Sequence, residues 1–188
     1  MLHYFEKPAV YFGSLFLVIV IAAVILLSMG RIPWCECGYI KFWHSDPVSS
    51  ENSQHVADPY TLTHVIHGIG FYALLKLLAR RLPVGARLVL ATILEAAWEI
   101  FENTDFVINR YRAATISLNY YGDSVTNTVG DILTNAFGFY LAYKFPVWLS
   151  VLLVIGLEVF LALWIRDSLF INIFMLIYPI EAIRNWQS

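Results

Sequence analysis

The sequence predicts an all-α fold, a polytopic transmembrane bundle of about six helices that forms a single domain over residues 1–188. Hydrophobic residues make up 59% of the chain and charged residues only 14%, whereas soluble domains average about 45–50% apolar and 25% charged residues. The apolar residues occur in long runs, and the run at 9–29 is long enough to cross a bilayer. A chain of this length has no room for a separate soluble domain beside such a bundle.

The residues that interrupt the apolar runs set the expected helix boundaries. The first run is longer than a usual signal-peptide core and no clear cleavage site follows it, so we expect a retained span, with a cleaved signal as the alternative. Asp58 and Pro59 are typical of a helix start. Two long polar segments, 31–58 and 105–122, are predicted as loops on one face of the membrane. The predicted helices cover residues 9–29, 59–80, 86–105, 123–144, 147–165 and 168–183, the last one short.

The basic residues predict a bacterial cytoplasmic (inner) membrane protein with a cytoplasmic N-terminus. Arg80, Arg81 and Arg87 cluster around one short connection, where the excess of basic residues in cytoplasmic loops is most reliable. Both polar loops then lie on the outer face, and a sixth span returns Arg184 to the cytoplasm. Membrane lipids are the expected partners. A net charge of −2, with no basic patch beyond this short connection, gives no support for nucleic-acid binding.

Ionisable side chains recur on one face of three predicted helices. In LEAAWEIFEN, Glu95, Glu99 and Glu102 are spaced i, i+4 and i+7, although a carboxylate at membrane depth costs about 2.5–3.5 kcal/mol on insertion scales. A rise of about 1.5 Å per residue brings polar residues of the second and fourth helices to the same depth. We therefore expect an acidic pocket, containing histidine, near the outer leaflet. Its candidate residues are the acids Glu95, Glu99, Glu102, Asp123 and Asp131 for catalysis, His64 and His67 as metal ligands with Glu99 and Asp131, and Asn127, Asn135, Arg112 and Arg166 for binding.

Carboxylates combined with imidazoles predict one divalent metal ion, Zn, Mn or Fe. A bound ion could activate water, and a pocket at head-group depth suits a lipid or lipid-linked envelope substrate. The first hypothesis is therefore a metal-dependent hydrolase or transferase. The alternatives are an ion-coupled transporter or carrier, and a non-catalytic binding or assembly protein whose polar residues only fix helix packing. The off-centre position of the polar residues and the lack of a visible inverted repeat weigh against the transporter.

The only cysteines, Cys35 and Cys37 in RIPWCECGY, are too few for a disulfide framework. Their spacing is tight for a mutual bridge, so we expect two reduced or lipid-proximal thiols. A metal pair or a redox pair is the alternative.

Several stretches carry a family resemblance: SENSQH, THVIHG, EAAWEIFEN, RYRAATISLNYYGDSVTN and IRDSLFINIFMLIYPIEAI. They resemble an uncharacterised family of multi-pass inner-membrane proteins known mainly from alphaproteobacteria. The resemblance implies a multi-pass location in the cell membrane and no particular activity.

The chain also resembles, more loosely, VanZ-like membrane proteins, in which a histidine-bearing helix precedes paired acids, an arginine and a D-x-x-x-N-x-x-G pattern. This resemblance implies a function in the cell envelope. Two registers of the last pattern stay open. The matching positions are His64 or His67, then Glu95 and Glu99, then Arg112, then either Asp123, Asn127 and Gly130 or Asp131, Asn135 and Gly138.

Overall fold

The computed structural model describes residues 7–115 and 119–187. Within these ranges the chain forms eight helices and no strand, which confirms the all-α class. The helices are α1 (Pro8–Ser28), α2 (Thr61–Leu78), α3 (Val84–Glu102), α4 (Asp105–Ala114), α5 (Val125–Lys144), α6 (Val147–Trp164), α7 (Leu169–Ile177) and α8 (Glu181–Gln187).

Three helices in the described part of the chain, α1, α2 and α6, are long and apolar enough to cross a membrane, so the chain is a membrane protein. α3 and α5 have 19 and 20 residues, which at about 1.5 Å per residue matches the hydrocarbon thickness of a bilayer. These two helices carry the acids and pack among the apolar three, with α5 against α2 and α3 against α1. The acid-bearing faces of these two helices are turned into the bundle, since Glu95, Glu99 and Asp131 are buried.

The five long helices alternate in direction, so the bundle has two chemically different ends. We call the basic end the one formed by the start of α1 and the short connections 79–83 and 145–146. We call the acidic end the one formed by segments 29–60 and 103–124 together with α7 and α8. The polar faces of α2, α3 and α5 all lie within about two helical turns of the acidic end.

Glycines allow α2 and α5 to approach closely. A Cβ atom on Gly68 of α2 would lie 2.0 Å from the Asn135 carbonyl oxygen, and one on Gly138 of α5 would lie 2.2 Å from the Val65 carbonyl oxygen. The sequence predicts this use of Gly138, because small residues let membrane helices come into backbone contact. The contact holds the histidine-bearing start of α2 against the polar face of α5.

The C-terminal part of the chain corrects the predicted sixth span. The segment 168–183 is not one helix, because α7 ends at Ile177 and α8 begins at Glu181, on either side of Pro179. The nine residues of α7 extend about 13 Å, too short to cross a bilayer. The guanidinium of Arg166 donates to the Trp186 carbonyl at 3.1 Å, so α8 stays at the acidic end. The bundle therefore has five long helices, and Arg184 lies at the acidic end instead of at the end of Arg80 and Arg81, with which it was predicted to share a side.

Several helix ends differ from the predictions by one to three residues, and two boundary differences have a clear physical reason. The predicted loop 105–122 begins with α4, because the Thr104 side chain accepts from the Val107 amide and caps the helix. α2 begins at Thr61 instead of residue 59, since Asp58 Oδ1 accepts from the amide of Tyr60 at 2.8 Å and from that of Thr61 at 3.3 Å. Residues 116–118 of the predicted loop lie outside the described residues.

Segment 29–60 folds over the start of α5. The Ser124 amide donates to the Ser53 carbonyl at 2.9 Å, the Val125 amide to the Ile32 carbonyl at 2.9 Å, and the buried Gln54 side chain to the Gly122 carbonyl at 2.8 Å. These bonds satisfy backbone groups that a helix N-terminus leaves unpaired. Cys35 and Cys37 form a disulfide with each other, which corrects the expectation of reduced thiols.

Candidate metal centre and adjoining cavity

Polar side chains of α2, α3 and α5 meet inside the bundle near the acidic end. We call this group the inner cluster: His64, His67, Glu95, Glu99, Asp131 and Asn135. Glu95 and Asn135 are fully buried, Glu99 is 1% exposed and His64 is 6% exposed. The sequence predicts this convergence from helical spacing and depth, and each of the three helices supplies two members.

Glu95 is the well-paired acid of the inner cluster. The imidazole Nδ1 groups of His64 and His67 both donate to its carboxylate, the latter at 3.1 and 3.2 Å. The Asn135 amide donates to Oε2 at 3.0 Å. Since a carboxylate can only accept, both histidines present Nδ1–H toward it, and three donors account for the burial of this acid.

Glu99 and Asp131 lack comparable partners. Glu99 Oε1 lies 3.4 Å from His64 Nδ1, and Asp131 Oδ2 lies 3.7 Å from His64 Nε2. Among the described residues, neither Glu99 Oε1 nor Asp131 Oδ1 accepts a hydrogen bond, and Asn135 Oδ1 is also unpaired. Buried acceptors without donors are rare and costly, so this side of the cluster has room for a cation, a proton or water.

Two groups of ligand atoms in the inner cluster are close enough to share one metal ion. One atom each of His64, Glu99 and Asp131 lies within 4.8 Å of the others, and the same holds for His64, His67 and Glu95. The second group is already joined by the hydrogen bonds to Glu95. The first contains the unpaired oxygens and is therefore the better candidate centre.

A cavity of about 50 Å³ connects the inner cluster with the acidic end. That volume has room for a few water molecules or for an ion with its water. His64, His67 and Asp131 line its inner part, and Glu102, Asp123 and Asn127 line its walls. No lysine or arginine lies among the described residues that line it, so its field favours cations.

Asp123 lines one wall of the cavity and is held there by Asn103, which is not itself a lining residue. The Asn103 side chain donates to Asp123 Oδ2 at 2.7 Å and to the Glu99 carbonyl at 2.9 Å, and the Tyr120 hydroxyl donates to Asp123 Oδ1 at 3.0 Å. Burial raises the pKa of Asp123 to about 6, and the hydrogen bonds from Asn103 and Tyr120 limit that rise. This wall ties the end of α3 to the start of α5.

Helix α7 is held over the cavity by a hydrogen-bonded chain of side chains. The Tyr60 hydroxyl donates to Asp167 Oδ2 at 3.1 Å. The Tyr111 hydroxyl donates to Asn172 Oδ1 at 3.0 Å, and Asn172 Nδ2 donates to Asp167 Oδ2 at 3.1 Å. Burial raises the pKa of Asp167 above its ordinary value. The chain links α2, α4 and α7 at the acidic end.

Not every predicted site residue reaches the cavity. Glu102, Asp123 and Asn127 line it. Arg112 Nε instead donates to the Tyr120 carbonyl at 2.5 Å, and Arg166 binds the Trp186 carbonyl. Neither arginine is among the lining residues, so their role in binding stays a prediction without support from the cavity.

Sequence reasoning did not include Asn103, Tyr111 or Asn172 among the site residues, although it placed Asn172 on the same outer side. Asn103 had a signal, because it stands four residues after Glu99 and so continues the same face. The other two lie in α4 and α7, which were predicted as a loop and as part of a transmembrane span. Nothing in the sequence brings those short helices to the cavity.

A second polar group lies outside the bundle, on segment 29–60. We call it the outer cluster: Glu51, Lys41, Tyr39 and His55. The Glu51 carboxylate accepts from Lys41 at 2.7 Å, from Tyr39 at 2.8 Å and from His55 at 3.1 Å. Lys41, His55 and Tyr39 together lower the pKa of Glu51 to about 2.

A family model described as "Protein of unknown function (DUF2585)" matches residues 26–188. The chain belongs to the DUF2585 family. It is similar to UPF0314 proteins of Paracoccus denitrificans (55% identity, over 98% of this chain and 95% of the relative), Rhizobium meliloti (52%, over 91% and 87%) and Rhizobium johnstonii (46%, over 95% and 91%). The resemblance to an uncharacterised alphaproteobacterial family is thereby confirmed. The resemblance of this DUF2585 chain to VanZ-like proteins stays a prediction, and no solved structure matches the chain.

Proposed function

We propose that this protein binds one divalent metal ion in the inner cluster and uses it to hydrolyse or transfer a group at the head of an envelope lipid or lipid-linked molecule. The observation that carries the proposal is the pair of buried, unpaired carboxylate oxygens, Glu99 Oε1 and Asp131 Oδ1, on either side of His64. An ion there neutralises two acids that otherwise repel each other in a medium of low dielectric constant.

His64, Glu99 and Asp131 are the proposed ligands. His64 donates from Nδ1 to Glu95, so its Nε2 is left as the ligand atom, and Glu95 fixes the ring orientation from behind. Such a carboxylate behind a ligating histidine is common in metal sites. One imidazole with two carboxylates suits Zn, Mn or Fe.

Three protein ligands leave a coordination position for water facing the cavity. A divalent ion lowers the pKa of bound water and can generate a nucleophile at neutral pH. Glu102 and Asp123 line the same cavity, and they are our proposed proton acceptor or donor for that water. Since no basic side chain lines the described part of the cavity, the metal ion would supply the positive charge that binds a substrate phosphate.

The depth of the centre favours a head-group substrate. His64, Glu99 and Asp131 are three to six residues from the helix ends at the acidic end, which is roughly 5–10 Å of helix. Toward the basic end, Leu75, Ala91 and Phe139 form an apolar cluster below the centre. That apolar layer favours an enzyme open to one side over an ion-coupled transporter, which needs access from both.

We place the protein in the bacterial cytoplasmic membrane with the basic end in the cytoplasm. Six of the 12 lysines and arginines but only one of the 14 acids, Glu6, lie in the sequence within four residues of the segments that form the basic end. Basic residues near short loops favour the cytoplasmic side. With five long helices, the C-terminus then lies on the outer side, and an alkaline phosphatase fused there should be active. An inactive C-terminal fusion together with an active fusion at residue 81 would reverse the orientation.

Elemental analysis of the detergent-purified protein tests the metal centre. We expect about one equivalent of Zn, Mn or Fe per chain in the wild type and a loss of at least about tenfold in Glu99→Ala and Asp131→Ala. Glu158→Ala is the matched control, because Glu158 is a carboxylate of α6 that lies outside the inner cluster and accepts from the Phe170 amide at 3.3 Å. Sub-stoichiometric metal in the wild type and all variants would remove the metal centre from the proposal.

Activity is tested in vesicles of phosphatidylethanolamine and phosphatidylglycerol that contain the metal-loaded protein. Mass spectrometry of lipids and soluble products should show head-group release or exchange with the wild type and none with Glu99→Ala. Metal binding without any lipid turnover would favour a non-catalytic binding protein.

A further inference from the structure

The disulfide between Cys35 and Cys37 contributes little to holding the fold together. It encloses a single residue, Glu36, and the chain entropy that a disulfide removes from the unfolded state grows with loop length. Segment 29–60 is already fixed by the hydrogen bonds of Ile32, Ser53 and Gln54 to residues 122–125. A structural role therefore explains this bridge poorly.

The two sulfur atoms have different surroundings. Cys35 is 3% exposed, whereas Cys37 is partly exposed. The Cys37 amide donates to Cys35 Sγ at 3.1 Å, and a backbone donor stabilises a thiolate more than a bridged sulfur. An incoming thiolate can reach Cys37, and Cys35 is then the better leaving group.

The outer cluster lies against this bridge. Single atoms of Cys35, Cys37, Glu51 and His55 lie within 4.8 Å of one another. The negative charge of Glu51 is already matched by Lys41 at 2.7 Å, so a thiolate released at Cys35 does not face an uncompensated anion. His55 Nδ1 accepts from the Lys41 amide at 3.2 Å, which leaves the proton on Nε2 toward Glu51 and disfavours His55 as a metal ligand.

We propose that Cys35 and Cys37 form a redox-active disulfide that exchanges with cysteine thiols of polypeptides at the acidic end. The substrate thiolate attacks Cys37 Sγ, the Cys35–Cys37 bond breaks, and Cys35 leaves as a thiolate. A second thiolate of the same substrate then attacks the sulfur of its own mixed disulfide, and Cys37 leaves. Two electrons and two protons pass from the substrate dithiol to the Cys35–Cys37 pair, and the substrate gains the disulfide.

The surface beside the bridge favours a polypeptide over a small polar thiol. Trp34, Tyr39 and Ile40 flank the two cysteines and are 53%, 45% and 54% exposed. These side chains can contact an apolar peptide segment and offer little to a compound such as glutathione. In the proposed orientation the bridge faces the oxidising side of the membrane, where disulfides persist.

The full-length protein in detergent micelles is mixed with a reduced peptide that carries Cys-x-x-Cys flanked by leucines, or with glutathione at equal thiol concentration. Alkylation followed by mass spectrometry measures thiols and mixed disulfides. We expect the peptide to react about tenfold faster than glutathione. The single-cysteine variants are mixed with the same peptide preoxidised as an activated mixed disulfide. In Cys35→Ser, the remaining Cys37 should form a mixed disulfide with the peptide. In Cys37→Ser, the remaining Cys35 should form this mixed disulfide about tenfold more slowly.

Several results would overturn the proposal. Equal trapping on both single-cysteine variants would remove the assigned roles of the two sulfurs, and equal rates with glutathione would remove the polypeptide partner. Unfolding of the Cys35→Ser/Cys37→Ser double variant, read from its tryptophan fluorescence, would make the bridge structural. One equivalent of added Zn²⁺ held by the reduced protein and lost in Glu51→Ala would make the group a zinc site instead.

Discussion

The inner and outer clusters both place carboxylates beside histidines, but they match donors with acceptors differently. In the outer cluster one acid, Glu51, receives a lysine, a tyrosine and a histidine. In the inner cluster three acids share two histidines and one amide, and nearly all of those donors converge on Glu95. Glu99 and Asp131 are left with unpaired oxygens although they lie deeper than Glu51.

The difference distinguishes charged residues that stabilise the fold from charged residues that serve a binding site. A complete set of partners, as at Glu51, fixes a segment and needs no ligand. An incomplete set inside a membrane protein lowers stability, and ionisable groups in such positions usually serve a site.

Replacing the well-paired acid should be the most damaging change. Glu95→Leu leaves the Nδ1 groups of His64 and His67 and the Asn135 amide without an acceptor, and breaking such a buried network costs about 3–5 kcal/mol. Equilibrium unfolding in mixed micelles of dodecyl maltoside and dodecyl sulfate measures the loss. Glu158→Leu in α6 is the control and should lose far less. Equal losses in the two variants would mean that Glu95 is no better paired than an isolated acid.

Removing an unpaired acid should have opposite effects with and without metal. Asp131→Asn removes the cost of burying a second carboxylate beside Glu99, so the metal-free variant should be more stable than the metal-free wild type by about 1–2 kcal/mol. At a hundredfold excess of ion over Kd, the wild type should gain about 2.7 kcal/mol and the variant almost nothing. Unfolding with a chelator and with added Zn²⁺ or Mn²⁺ gives both values. A metal-free variant less stable than the wild type would show that Asp131 is paired after all.

Asp123 should make the protein less stable as pH rises. Its pKa is raised from 3.8 to about 6 in the fold by burial, so between these values the folded state binds more protons than the unfolded state. The contribution of Asp123 to the free energy of unfolding is therefore most favourable below pH 4, and it falls by on the order of 2–3 kcal/mol by pH 6–7. Unfolding measured across pH 4–7 should show a flatter profile for Asp123→Asn. Identical slopes would assign the pH dependence to other groups.

Glu51 should show the opposite and smallest pH effect. Its pKa is lowered from 4.5 to about 2, chiefly by Lys41, so its contribution is present above pH 4.5 and is lost as pH falls toward 2. Because Lys41 and Glu51 are both solvent-accessible, screening by salt keeps their coupling small. A double-mutant cycle with Glu51→Gln and Lys41→Met measures it. A coupling as large as the loss in Glu95→Leu would end the contrast between the two clusters.

Helical spacing was enough to predict the inner cluster. Glu95 and Glu99 are four residues apart, as are Asp131 and Asn135, and each pair shares a face whatever surrounds the helix. The depth of each pair follows from its distance to the end of its apolar run. The sequence could not predict which of these acids is paired. The pairing depends on side-chain positions across the contact between α2 and α5 at Gly68 and Gly138.

The helical class, the membrane setting and the acidic layer could be predicted from the sequence, because hydropathy and periodicity are local properties of the chain. The bond between Cys35 and Cys37, the position of Arg166 and Arg184 at one end, and the short helices α4 and α7 over a cavity could not. The positions of α4 and α7 arise from contacts between segments far apart in the chain, such as Tyr60 with Asp167. Their energies depend on three-dimensional packing, which no local pattern encodes.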